Sequence, residues 1–162
     1  MHVLLFAYGT IRTDPADLST MNLSDAEASD YGQLDIQLNW DPNAELIGDL
    51  GGWVLHDRAM FCDSHNGRLG IPAVSSWHEE DARVVGDLYK VTIDGFRNLL
   101  KYEGFPTLYD YEVLTVIGKS SGGVCRMEDA VVFTTSRADQ FGDFIRTGDY
   151  FAPEHKEVRC AE

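Results

Sequence analysis

The chain opens on a continuous apolar run, Val3-Leu4-Leu5-Phe6-Ala7-Tyr8, closed by Gly9-Thr10. Six residues without polar alternation describe a strand covered on both faces, so a sheet begins here. From Arg12 to about Glu45 the pattern lapses into a polar, acidic stretch with breakers at Asp14-Pro15 and Asp41-Pro42. Within it, Asn22 to Asp30 predicts a short helix beginning near Ser24, and the whole reads as a polar insertion or lid at about 13–45. Leu46 to His56 holds two apolar stretches around a Gly51-Gly52 bend. Ala59 to Leu69 holds shorter ones around turn residues 63–67, and both segments predict short strands.

Arg83 to Val91 predicts a further strand. Phe96, Leu99 and Leu100 then recur at i, i+3 and i+4, the period of a helix over Asp94 to Tyr102 that Gly104 and Pro106 stop. Tyr109 to Ile117 is the longest strand candidate. With a turn at Gly118 to Gly123 and a last strand at Ala130 to Thr135 it predicts a hairpin. Ala138 to Thr147 predicts a short closing helix, and the tail from Pro153 is polar. Strands outnumber helices, and the best-patterned helix lies between two of them, which points to an α+β fold whose sheet curls around a core.

Length and composition add bounds. The 162 residues, 44% hydrophobic and 25% charged, suit a single domain over 1–162 with a substantial core. Thirteen basic against 27 acidic residues give a net charge of −14. That balance opposes direct nucleic-acid binding and attraction to anionic membranes, and it leaves room for a protein partner on an acidic surface. Cys62, Cys125 and Cys160, odd in number and widely spaced, read as reduced thiols of a cytoplasmic protein rather than a disulfide framework. The apolar runs are too short to span a membrane.

Several chemistries fail on spacing. Gly118-Lys119-Ser120 lacks the earlier glycine of a phosphate loop, no Gly-x-Ser-x-Gly elbow occurs, and Cys62 with His56, His65 or His78 meets no established metal spacing. No metal or cofactor is expected. Two features remain. Glu103 falls at i+7 from Phe96, on the apolar stripe of its helix and at the negative end of the helix dipole. Burial and dipole there would raise its pKa toward neutrality, as a general base requires. The alternative is a frayed last turn with the carboxylate in water. The second feature is Tyr8-Gly9-Thr10-Ile11, either an anion-binding turn of successive peptide N–H groups or an ordinary strand ending.

In this order, these features resemble the γ-glutamylcyclotransferase superfamily, which includes γ-glutamylamine cyclotransferases and AIG2-like proteins. Leu5 to Arg12 resembles the family's opening "FxYGTLR" loop, Val85 to Val91 its "VxGELYEV" strand and Leu100 to Pro106 its "LDxFEGxP" segment. Tyr109 matches a tyrosine six residues after the glutamate, and Thr147-Gly148-Asp149-Tyr150 resembles the closing "SGDW". The resemblance implies a small mixed β-barrel with flanking helices and a cavity at one end. It implies a transferase or lyase-type activity that releases 5-oxoproline from a small γ-glutamyl substrate, an amine or isopeptide, by intramolecular aminolysis. Glu103 would be the base; Tyr8, Gly9, Thr10 and Ile11 would hold the glutamyl moiety, and Tyr109 would donate a hydrogen bond. Phe133 stands near a position where some members carry a tyrosine hydroxyl. A noncatalytic acidic binding protein on the same fold, including a nucleic-acid mimic, is the alternative function.

Overall fold

A computed structural model describes residues 1–9, 11–12, 21–65, 68–105, 107–119 and 125–151. The opening run forms β1 (His2–Ala7). Helix α1 (Asp25–Asn39) follows, then short strands β2 (Glu45–Ile47), β3 (Trp53–His56), β4 (Met60–Cys62), β5 (Ser64–His65), β6 (Arg68–Leu69) and β7 (Ala73–Ser75). The long β8 (Arg83–Thr92) leads into α2 (Ile93–Tyr102). The hairpin β9 (Asp110–Lys119) and β10 (Cys125–Thr135), a 3-10 turn at Ala138–Phe141 and β11 (Asp143–Phe144) complete the elements of the described residues. No helix among the described residues is long and apolar enough to cross a membrane.

Strand pairing runs β1-β8-β3-β9-β10, and β10 returns to β1 in parallel at Leu5–Val131, closing a ring of five strands. The other four contacts of the ring are antiparallel, so the sheet is mixed. β7, β4 and β11 extend from β10, and β2 adds to β8. Because β1 is covered on both faces, its side chains feed two cores. Phe6 and Tyr8 join Trp53, Val84, Leu88, Val116 and Val132 from the other four strands and fill the ring. Leu5 and Ala7 join Tyr89, Tyr109 and Phe133 with Leu99 of α2 and Ile36 of α1, the core between sheet and helices.

Three expected boundaries move, each for a tertiary reason. Helix α1 starts with a capping box in which Ser24 and Glu27 satisfy each other's backbone N–H, but it runs to Asn39 instead of Asp30. Gly32 obscured this; it is buried where Leu50 leaves no room, since a Cβ there would lie 2.8 Å from Leu50 Cδ2. The last hairpin strand begins at Cys125, and Gly118 and Lys119 belong to its partner strand. The polar residues that hid this pair on the open face, Thr115 with Asp129 at 2.8 Å and Arg126 with Glu128 at 3.0 Å. The expected closing helix is a single 3-10 turn, because Asp143 and Phe144 pair instead with Cys62 and Phe61 of β4.

Trp40 and Asp41, just after α1, hold α2 at its two ends. Asp41, 1% exposed, accepts from the N–H and hydroxyl of Thr92, the N-cap of α2, at 2.7 and 3.0 Å. At the other end of α2 the ring of Trp40 meets Tyr102 edge-on at 4.3 Å.

Candidate active site

Helix α2 ends where its sequence says it must. The Gly104 N–H donates to Lys101 C=O and the Phe105 N–H to Leu100 C=O, the paired bonds of a Schellman closure, with Gly104 at φ 64°. A β-carbon is disfavoured in that left-handed conformation, so Glu-Gly is a local requirement. Glu103 is the capping residue, its own N–H donating to Leu99 C=O at 2.9 Å. The closure keeps the last turn from fraying, and Glu103 lines a cavity of about 160 Å³ instead of facing open water.

The end of β1 supplies the opposite wall. The Arg12 N–H donates to Gly9 C=O at 2.9 Å, making residues 9–12 a turn. Pro72 packs so closely on Gly9 that any side chain there would collide with its ring. Arg12 faces away from the cavity. Its Nη1 donates to Asp149 Oδ1 at 2.9 Å, its Nε lies 3.6 Å from Asp87 Oδ1, and that oxygen also accepts from the Gly51 N–H at 2.6 Å. Arg12 and Asp87 have side chains 2% and 1% exposed. One buried cluster thus ties together the turn, β8 and the Thr147–Tyr150 segment.

Tyr8, Gly9, Ile11, Glu103 and Tyr109 line the same cavity, with Leu5 and Phe133 as apolar wall. Thr10 lies outside the described residues. Burial drives the Glu103 carboxyl from its ordinary 4.5 up to about 7. Among the described residues no cation or hydrogen-bond donor engages its side chain. Both phenols stay protonated. Tyr8 is pushed well above its ordinary value by burial and then by Tyr109 and Glu103; Tyr109 is raised by burial and then by Glu103. Tyr8 Oη donates to Phe133 C=O at 2.7 Å and Tyr109 Oη to Pro72 C=O. With those protons engaged, each phenol oxygen retains acceptor capacity. Tyr109, expected as a donor to the ligand, donates to the backbone in this state.

Sequence reasoning gave no part to Ile71, Pro72, Tyr102 and Leu108, which also line the cavity. Tyr102 was within reach, being next to Glu103. Pro72 carried no signal, because its position depends on the path between β6 and β7. Arg12, Asp87 and Asp149 stood in the matched motifs, and charges inside such apolar segments are the sign of an internal ion cluster. Cys62 is buried against the Gly70 C=O, with its thiol pushed up to about 11 by burial. Among the described residues no group of three His, Cys, Asp or Glu side chains is arranged to hold a metal ion.

No protein-family model matches the sequence, and no curated protein matches it. Solved structures do match. An AIG2-like protein from Mus musculus, also designated ggact, superposes with a TM-score of 0.55 at 19% identity, over 86% of this chain and 82% of that one. The solution structure of A2LD1 gives a TM-score of 0.51 at 18% identity, over 83% and 78%. YkqA of Bacillus subtilis gives 0.53 at 17% identity, over 93% of this chain and 40% of that one. The chain therefore shares the α+β fold of the AIG2-like protein.

Proposed function

We propose that the protein is a γ-glutamyl cyclotransferase that releases 5-oxoproline from a γ-glutamyl amine or isopeptide. The observation that carries this reading is Glu103: a carboxyl with a pKa of about 7, unpaired among the described residues, in an apolar cavity beside the 9–12 turn. A general base for an ammonium works best when its own pKa lies near the working pH. Apolar walls at Leu5, Ala7 and Phe133 limit the water that competes with it.

The substrate supplies its own nucleophile, so the enzyme's work is folding, deprotonation and charge stabilisation. Glu103 takes a proton from the substrate's α-ammonium. The freed amine attacks the γ-carbonyl carbon to give a tetrahedral oxyanion. Collapse of that oxyanion breaks the bond to the leaving nitrogen, which takes the proton held by Glu103; Glu103 then accepts the second proton that the ring nitrogen must lose and passes it to the departing amine. The products are 5-oxoproline and the amine as its ammonium, and Glu103 ends ionised as it began. Peptide N–H groups of the 8–11 segment hold the glutamyl carboxylate or the oxyanion, and the acceptor lone pairs of Tyr8 and Tyr109 suit the ammonium before its proton leaves.

The test is 5-oxoproline release from a panel of γ-glutamyl amines, γ-glutamyl-ε-lysine, γ-glutamyl amino acids and glutathione, with Glu103→Gln alongside. Release by the wild type that the variant loses is the expected result. Silence of the wild type across the panel, or full activity of Glu103→Gln, overturns the reading.

A further inference from the structure

Two grooves continue outward from the Glu103 cavity. One, of about 420 Å³, shares Ile71 and Leu108 with it and carries Asp63, Gln140 and Arg137. The other, of about 370 Å³, shares Leu108 and Tyr109 and carries Asp110, Glu112 and Arg137. Arg137 is thus common to both grooves. It follows β10 directly, and its backbone is fixed: its N–H donates to Thr135 Oγ1 at 3.2 Å, and its C=O accepts from the Gln140 N–H at 2.9 Å.

The Arg137 guanidinium is exposed and, among the described residues, makes no ion pair or hydrogen bond. Acids stand nearby without engaging it. Glu112 is held by Arg58 at 2.8 Å and by the Thr134 hydroxyl at 3.0 Å. Asp110 accepts from the Tyr111 N–H at 2.8 Å, and Asp63 shares the larger groove without pairing with Arg137. In a chain with 27 acids and 13 bases, a guanidinium left open beside a cavity is available to an anion from outside.

We propose that Arg137 is a specificity-determining residue that binds a carboxylate on the leaving half of the substrate. The proposal rests on the cyclotransferase reading. With the γ-glutamyl unit beside Glu103, the departing amine passes Ile71 and Leu108 into the grooves where the guanidinium fork stands. The substrate class is then a γ-glutamyl derivative whose amine component bears a carboxylate, in preference to a simple amine. Asp63, in the same groove, suits an ammonium beside that carboxylate.

Two substrates isolate the assignment. N-ε-(γ-glutamyl)-lysine and γ-glutamylcadaverine have the same scissile amide, the same methylene chain and the same distal ammonium, and differ by the carboxylate alone. Wild-type protein is expected to favour the lysine compound by about tenfold in kcat/KM, the scale of one charge-assisted hydrogen bond. Arg137→Gln should erase that preference by raising KM for the lysine compound, with kcat and the cadaverine reaction unchanged. Arg137→Lys, which keeps the charge and loses the fork, should restore part of it. Equal wild-type efficiency on both compounds, or an equal loss on both in Arg137→Gln, overturns the assignment while the cyclotransferase reading stands. Absence of 5-oxoproline from both compounds in the wild type overturns the assignment, and silence across the wider panel overturns the cyclotransferase reading with it.

Discussion

Asp87 and Glu103 are both carboxylates withdrawn from water near the 9–12 turn, and their surroundings differ in kind. On the Asp87 side the acid meets the Arg12 guanidinium and the Gly51 N–H, with Asp149 completing a cluster among four segments far apart in sequence. On the Glu103 side the acid stands in an apolar cavity, and burial pushes its carboxyl up to about 7. A buried charge with partners is a structural bolt; one without them holds its proton loosely at neutral pH and is free to exchange it. The turn between these regions is anchored from one side and presented to the cavity on the other.

The largest expected effect comes from removing the unpaired acid's chemistry while keeping its shape. Glu103→Gln should lower 5-oxoproline release by about 10²- to 10⁴-fold, the range of general-base catalysis, and leave the fold intact. Steady-state turnover together with near-UV circular dichroism checks both halves. Nearly as large, but of opposite character, is Arg12→Met. It takes the guanidinium away from the buried Asp87 and should lower the unfolding free energy by about 3–5 kcal/mol, measured by urea titration. The two variants sharpen the comparison: the first should disable without destabilising, and the second should destabilise whether or not substrate is present.

The contrast also shows what the residues disclose before any coordinates. Helical period and a Glu-Gly ending are local facts that put Glu103 on the apolar stripe but left a frayed last turn open, and it is Gly104, the residue that halts the helix, that prevents the fraying that would have turned the carboxylate to water. The opening strand was legible because a run apolar on every residue needs cover on both faces, and it has two cores. The Arg12 cluster was not, because its partners lie 75 and 137 positions away and only the strand order brings them together. The length of α1 escaped for a related reason: Gly32 looks like a breaker until Leu50 is seen occupying its place. The curl of the sheet was legible in the strand pattern, but the contact that closes the ring, Leu5 parallel to Val131, joins strands too far apart in sequence for a local pattern to name.

Protonation of Glu103 gives a third test, in which stability and activity should move in opposite directions. Its folded pKa is raised from 4.5 to about 7, so across that window the native state keeps a proton that the unfolded chain has released. Stability contributed by this group is full below pH 4.5, falls as pH rises through 7 and is flat above. The loss over the window is about 3 kcal/mol at 1.36 kcal/mol per pKa unit. Activity requires the ionised base, so kcat/KM should rise with pH through the same window and level off above about 7. Unfolding free energies of wild type and Glu103→Gln compared at pH 4.5, 6 and 8 should diverge in favour of the variant as pH rises. A constant difference would mean that the acid is solvated and that the contrast with Asp87 is illusory.

The smallest effect tests whether the glycine after the base serves the helix end or the chemistry. At φ 64°, Gly104 is in a conformation that costs an L-residue about 1 kcal/mol, and a Cβ there would sit 3.1 Å from Leu108 Cβ, a contact that must give by a few tenths of an ångström. Gly104→Ala should therefore lower stability by about 1–2 kcal/mol, and Gly104→Asn by less, since asparagine tolerates the left-handed region. Leu108 lines the cavity beside Glu103, so a displaced Leu108 should also raise KM while the acid limb of the pH profile stays near 7. If Gly104→Ala instead shifts that limb down toward the ordinary carboxylate range, the Schellman closure itself keeps Glu103 out of water. The base is then set by backbone geometry as much as by the apolar walls around it.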